Sequence, residues 1–284
     1  MVRTGDSMSV ANPQGKSALR MRCAFISDVH LGFRGCQADY LLDFLNNIQV
    51  EQLVLVGDIV DLWSLKKTVY WPVAHHDVLR KILQMARSGV KVIYVPGNHD
   101  EGFRELCGAE VAGIDIRRDF IHETSDGKRY LVVHGDEFDG AVAFSGLLRH
   151  VGERLYDVVL FAARRVHAVR RGLGFGYWSL ASWIKQRVPD ARLYTERFEQ
   201  AAAHAAARVG LDGIICGHIH HPGIRTVDGV RYCNDGDWVE HCSALVEDQN
   251  GRLSILHWTG QVDAVIPVIE QAVESDVAAL DYAA

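Results

Sequence analysis

Five short apolar runs in this chain each end in residues that can hold a metal ion. They are Ala24-Phe-Ile-Ser-Asp28-Val-His30, Leu53-Val-Leu-Val-Gly-Asp58, Val92-Ile-Tyr-Val-Pro-Gly-Asn98-His99-Asp100, Tyr130-Leu-Val-Val-His134-Gly-Asp136 and Gly213-Ile-Ile-Cys-Gly-His218-Ile-His220. Divalent ions take carboxylate, amide and imidazole ligands, and mixed nitrogen and oxygen donors suit Mn, Fe or Zn better than Mg or Ca. Asp28, His30, Asp58, Asn98, His134, His218 and His220 are more ligands than one ion takes from a protein. They fit two ions, Mn first among the candidates, that share Asp58. Such ions lie about 3.5–4 Å apart, acidify a coordinated water towards neutrality and clamp a phosphate. Phosphoryl transfer needs that charge neutralisation and in-line placement more than covalent chemistry.

Each piece alone has a structural explanation. An Asp-x-His after a strand is usually a turn, Gly97-Asn98-His99-Asp100 alone is an Asx-type turn, and His134 alone is a satisfied core histidine. The order of all five, each directly after an apolar run, favours the metal site.

The elements that must position these residues follow from hydrophobic periodicity. Short continuous apolar runs predict buried strands at Met21–Asp28, Leu53–Asp58 and Lys91–Pro96. Leu41, Leu42, Leu45 and Ile48 predict a helix over Gln37–Gln49; Val78, Leu79, Ile82, Leu83 and Met85 predict another over His75–Ser88. This β-α-β-α-β order implies a parallel sheet whose carboxyl edge binds the ligand. Ile114–Glu123 and Lys128–His134 read as two further strands joined by the turn Ser125-Asp-Gly127. Strands also follow at Gly213, Ile224–Val227, Val230–Asn234, Ser243–Glu247 and Leu253–Trp258, with hairpin turns at Asp228-Gly229 and Asn250-Gly251. They predict a largely antiparallel second half. The expected fold is α/β (α+β), a sandwich of two mixed β-sheets flanked by helices, with a helical cap inserted at about 140–210. Residues 1–20 read as a disordered leader, 21–260 as the domain and 261–284 as a tail or short helix.

Composition sets the outer bounds. With 48% hydrophobic and 23% charged residues in 284, the chain has the make-up of an ordinary soluble protein. A net charge of -6 argues against nucleic acid as the partner. Six cysteines without a CxxC pair point to buried thiols in a reducing compartment. No signal peptide and no membrane-spanning run is visible, so the expected location is cytoplasmic, with membrane contact at most peripheral to the inner face. The sequence sets no oligomeric state.

Asp28-x-His30, Gly57-Asp58-x-x-Asp61, Gly97-Asn98-His99-Asp100, His134-Gly-Asp136 and Gly217-His218-x-His220 resemble the five signature blocks of calcineurin-like metallophosphoesterases. The resemblance runs from about residue 22 to 258. It implies that one metal takes Asp28, His30, Asp58 and His220, and the other Asp58, Asn98, His134 and His218. It also implies that His99 meets the phosphate, with Asp100 orienting it. Within the family the chain is similar to the UDP-2,3-diacylglucosamine pyrophosphohydrolase group of lipid A biosynthesis. It departs from that group at His99, where the group carries Arg, and in the run Glu137-Phe-Asp139.

The insert has two readings. Leu147, Val151, Leu155, Val158, Ala162, Val166 and Val169 form one apolar helical stripe, with Arg164 and Arg165 among six arginines beside it. Trp178 and Trp183 follow in a glycine-rich stretch. As a lid, Arg164, Arg165, Trp178 and Trp183 would bind an acyl-bearing substrate or an anionic membrane. As a plain helical hairpin, the stripe packs on the core and the arginines face water. The leading functional reading is hydrolysis of the pyrophosphate of a nucleotide-linked glycolipid. The alternatives are a phosphatase or phosphodiesterase acting on soluble phosphoesters or phosphoproteins, and a non-enzymatic scaffold that uses its metal face for binding.

Overall fold

The computed structural model describes residues 18–142 and 189–258. All but the last three residues of the leader, the greater part of the proposed cap and the tail therefore lie outside the described residues. Strand β1 (Leu19–Ile26) is followed by helix α1 (Ala38–Asn47), β2 (Ile48–Leu55), α2 (Leu62–Lys67), α3 (Val73–Arg87) and β3 (Lys91–Tyr94). Short strands β4 (Glu110–Val111), β5 (Ile114–Ile116), β6 (Phe120–Glu123) and β7 (Arg129–Val132) come next, then the one-turn helix α4 (Asp139–Val142). Helix α5 (Pro189–Arg208) leads into β8 (Gly213–Cys216), β9 (Gly223–Val227), β10 (Val230–Asn234), β11 (Ser243–Glu247) and β12 (Leu253–His257).

Two mixed sheets result. One has the order β12-β11-β1-β2-β3-β5-β4 and the other β6-β7-β8-β10-β9. Alternation along each strand explains the continuous apolar runs. On β1 and β2, Cys23, Phe25 and Val54 face the second sheet, while Ala24, Ile26, Leu53 and Leu55 pack with Leu41, Phe44, Val78 and Ile82 of α1 and α3. On β7 and β8, Val132 and Ile215 enter the layer between the sheets, while Ile214 and Cys216 pack with Phe198, Ala202 and Ala206 of α5. The order of layers is helix, sheet, sheet, helix, and strands covered on both faces have no polar side to show. All six cysteines are unpaired thiols, and Cys23 and Cys216 are fully buried.

The structure corrects four expectations. The stretch Ile114–Glu123 is two strands: β5 pairs with β3 in the first sheet and β6 with β7 in the second. The chain crosses between sheets in the polar Arg117–Asp119 link, which periodicity alone does not reveal. Strand β8 runs parallel to both neighbours, so the second half is less antiparallel than its hairpins suggested. Helix α1 stops at Asn47, and β2 begins at Ile48, the residue read as its last apolar contact. Strand β1 begins at Leu19, inside the segment assigned to the leader. No helix among the described residues is long and apolar enough to cross a membrane.

One buried charge cluster ties the sheets together. The Glu247 carboxylate accepts from Arg22 Nη1 at 2.6 Å and the Ser125 amide at 2.8 Å, and lies 2.7 Å from His122 Nε2. Burial raises its pKa, but these partners outweigh it and hold Glu247 below its ordinary 4.5. The stabilisation is therefore complete above the unfolded value and is lost as pH falls through the folded one. Glu247→Gln is expected to cost about 1–3 kcal/mol at pH 7. Denaturant unfolding should show that difference shrinking below pH 4.5; a pH-independent difference would contradict the charge as its source.

Candidate metal centre

The candidate ligands stand where strands of both sheets end. Loops after β1 and β2 zip together: Asp28 N donates to Gly57 O, His30 N to Asp58 O and Leu31 N to Ile59 O. The second sheet is joined to them through the His218 amide, which donates to Asp28 Oδ2 at 2.8 Å. The backbone here is held in a costly conformation. Asp28, His30, Asp58, His218 and His220 have φ between 51° and 68°, and they are five of the eight non-glycine residues of positive φ among those described. Each such residue costs on the order of 1–3 kcal/mol and persists only where its surroundings enforce it. Their concentration at one edge marks a pre-organised site.

The geometry forms two contiguous groups. Asp28 Oδ1 is fully buried, receives no well-oriented hydrogen bond, and lies 3.0 Å from His220 Nε2 and 3.7 Å from His30 Nε2. Asp58 Oδ2 lies 3.4 Å from His134 Nε2 and 3.9 Å from His30 Nε2, so this carboxylate faces both groups. Asn98 Oδ1 lies 3.2 Å from His134 Nε2. The imidazoles are aimed by their other nitrogens. His134 Nδ1 lies 2.8 Å from Val56 O, and His30 Nδ1 lies 3.4 Å from Asp61 Oδ2, which leaves each Nε2 turned into the centre. His218 packs its ring against His134 at 5.2 Å, but its Nε2 lies 3.0 Å from Asp139 Oδ1. Gly57 and Gly97 clear the cradle: a Cβ on Gly57 would overlap the His134 ring, and one on Gly97 would overlap Asp58 Oδ1.

Electrostatics agree with this arrangement. Burial raises Asp28 and Asp58, yet the neighbouring imidazoles hold both carboxyls well below the ordinary range. Burial lowers His30, but Asp28 and Asp61 push it up to about 10, and Asp58 raises His134 in the same way. The field of the centre calls for positive charge. A buried carboxylate oxygen without a donor, a second carboxylate between two clusters and imidazole nitrogens turned inward fit a pair of divalent cations.

Two residues have other partners than expected. Asp100 is buried and accepts from the Gly97, Asp58, Ile59 and Val60 amides and from Tyr94 Oη. It pins the loop after β3 to the loop after β2, so the expectation that it orients His99 is corrected. The group beside the His99 ring is Asp61, whose Oδ1 lies 3.1 Å from Nδ1. The same carboxylate caps α2 by accepting from Ser64 N and Ser64 Oγ. Asp61 belongs to the second sequence block, and its N-cap spacing to Ser64 is the signal by which this helix can be found. Trp63 of α2 stacks on His99 with centroids 4.1 Å apart. A groove of about 390 Å³ opens beside His99, walled by Trp63, Lys66 and Arg104. Nothing in the sequence marked Trp63 or Asp139 for the site. Arg164, Arg165, Trp178 and Trp183 lie outside the described residues.

A family profile described as calcineurin-like phosphoesterase matches residues 21–222. The UDP-2,3-diacylglucosamine hydrolase of Xanthomonas campestris pv. campestris is 32% identical over 250 residues, covering 81% of this chain and 97% of that protein. The enzyme of the same name from Xanthomonas oryzae pv. oryzae is 28% identical over 244 residues, with the same coverage. Among solved structures, Yfce, a phosphoesterase from E. coli, shares 15% identity over 83% of this chain and 92% of its own, with a TM-score of 0.43.

Proposed function

Because the chain belongs to the calcineurin-like phosphoesterase family, whose members use a dinuclear metal site, we propose that it hydrolyses the pyrophosphate of a nucleotide-linked glycolipid of the UDP-2,3-diacylglucosamine type. The observation that carries the substrate is the likeness to the Xanthomonas campestris hydrolase, which spans nearly all of that protein rather than the metal-binding blocks alone.

Asp28, His30, Asp58 and His220 would hold one divalent cation, and Asp58, Asn98, His134 and His218 the other, with Mn the proposed metal. Cations held there supply Lewis-acid polarisation of phosphoryl oxygens and a nucleophile at neutral pH. The chain's own groups do the rest. Val56 O and Asp61 fix the two imidazole planes, and Asp100 fixes the loop that carries Asn98 and His99. The His99 ring is held between Trp63 and His30, with Nδ1 facing Asp61 Oδ1 at 3.1 Å, so Nε2 is the atom available to the phosphate or the leaving oxygen. Arg164, Arg165, Trp178 and Trp183 are proposed to meet the lipid half.

The test compares kcat/KM of Mn-reconstituted protein on the diacylated UDP-sugar with that on the same UDP-sugar without acyl chains, a small chromogenic diester and a phosphoprotein. Each methylene buried from water contributes about 0.8 kcal/mol, so four of them are worth about 10²-fold. The acylated substrate should lead by at least that factor. Equal rates with and without acyl chains would move the assignment to a soluble phosphoester.

A further inference from the structure

Four of the nine exposed large apolar side chains among the described residues fall within one eleven-residue stretch: Trp63 at 41%, Val69 at 83%, Trp71 at 37% and Val73 at 75% exposure. They lie on α2, on the link that follows it and at the first residue of α3. Exposed Lys66 and Lys67 stand among them, and no Asp or Glu occurs between Asp61 and Asp77. Arg34, also exposed, adds a third positive charge by lying over the Tyr70 ring at 4.5 Å. The segment itself carries no acid to offset these cations, although the groove behind Trp63 and Lys66 is also lined by Glu101 and Glu105.

The stretch is held in place. His75 is buried and accepts the Gly32 amide through Nδ1. The rings of Tyr70 and Trp71 both meet His75 edge-on, with centroids 5.6 Å apart. An exposed aromatic rigidly presented beside aliphatic and cationic side chains would be a poor choice for a face that meets only water. It matches the interfacial layer of a bilayer, where Trp and Tyr sit at headgroup level, aliphatics enter the acyl boundary and lysines meet anionic headgroups.

We propose that residues 62–73 together with Arg34 form a docking surface for an anionic lipid surface. Its position gives it a purpose. Trp63 belongs both to this surface and to the groove beside His99, so docking would bring the groove to the depth at which a lipid-linked pyrophosphate lies. That purpose rests on the lipid-linked reading of the substrate. The binding itself is measured without hydrolysis, so either can fail alone.

The experiment is sedimentation of the full chain with vesicles of phosphatidylcholine containing phosphatidylglycerol, against pure phosphatidylcholine. Wild type should partition onto the anionic vesicles and weakly onto the neutral ones. Val69→Ser with Val73→Ser should lower partitioning at least about tenfold, and Lys66→Ala with Lys67→Ala about 30-fold on anionic vesicles. The valine variant should keep the thermal midpoint and the rate on a small water-soluble diester, because neither side chain enters the core or the metal centre. Wild-type partitioning in both variants, or no partitioning of wild type, would overturn the proposal. So would light scattering that shows the valine variant dissolving a dimer, since the face would then meet a second copy of the chain.

Discussion

Asp58→Asn is expected to lower kcat by at least about 10³-fold, the scale of several kcal/mol of lost charge stabilisation, and to leave fewer than two ions per chain. One oxygen of Asp58 accepts the His99 amide, and the other faces His134 and His30 together. An amide in its place keeps the shape but removes the charge and one of the two acceptors. Elemental analysis with kinetics on any accepted phosphoester reads both effects. Thermal unfolding guards against a simple failure to fold, because Asp58 is buried at the junction of two loops. A variant with full activity and undiminished metal would mean that Asp58 does not bridge two ions.

His99→Ala comes next in size. General acid catalysis contributes typically about 10²–10⁴-fold, and the loss of kcat should fall in that range while both metals remain. His99 is three-quarters covered, its ring is held by Trp63, His30 and Asp61, and it opens on the groove. If its role is to protonate the leaving oxygen, the defect shrinks for substrates with acidic leaving groups. If it only binds phosphate, the defect is the same for all of them. His99 also stands close enough to His30 and Asp58 to share a cation with them. Loss of metal from His99→Ala would make it a ligand and contradict its role as the group that meets the phosphate.

The fold was legible because its strands are covered on both faces. Leu53–Val56 and Val92–Val95 read as buried runs for the same reason that they alternate between the helix layer and the inter-sheet layer. The three-residue link Arg117–Asp119, where the chain changes sheets, carries no pattern that a strand continuing through it would lack. The parallel pairing of β8 with β7 is equally silent, since it joins strands far apart in the sequence, Arg129–Val132 and Gly213–Cys216. At the candidate site, residue types and spacing named the groups that the structure gathers at one edge. They did not separate Asp61 from Asp100. Both are acids in signature blocks, and only the fold shows that one faces the His99 ring while the other binds backbone amides. The positive φ angles at five candidate ligands are also invisible in the sequence, because Asp and His, although enriched among left-handed residues, adopt that backbone at only a small share of their positions.

Low-temperature electron paramagnetic resonance of the Mn-loaded chain tests a shared-carboxylate pair of ions most directly. Two Mn ions at about 3.5–4 Å, bridged by Asp58, are expected to give the spectrum of an exchange-coupled pair at a stoichiometry of two per chain. Half-loaded protein or Asp58→Asn should show an isolated ion instead. One ion per chain at saturation, or two ions that show no coupling, would contradict the shared-carboxylate centre.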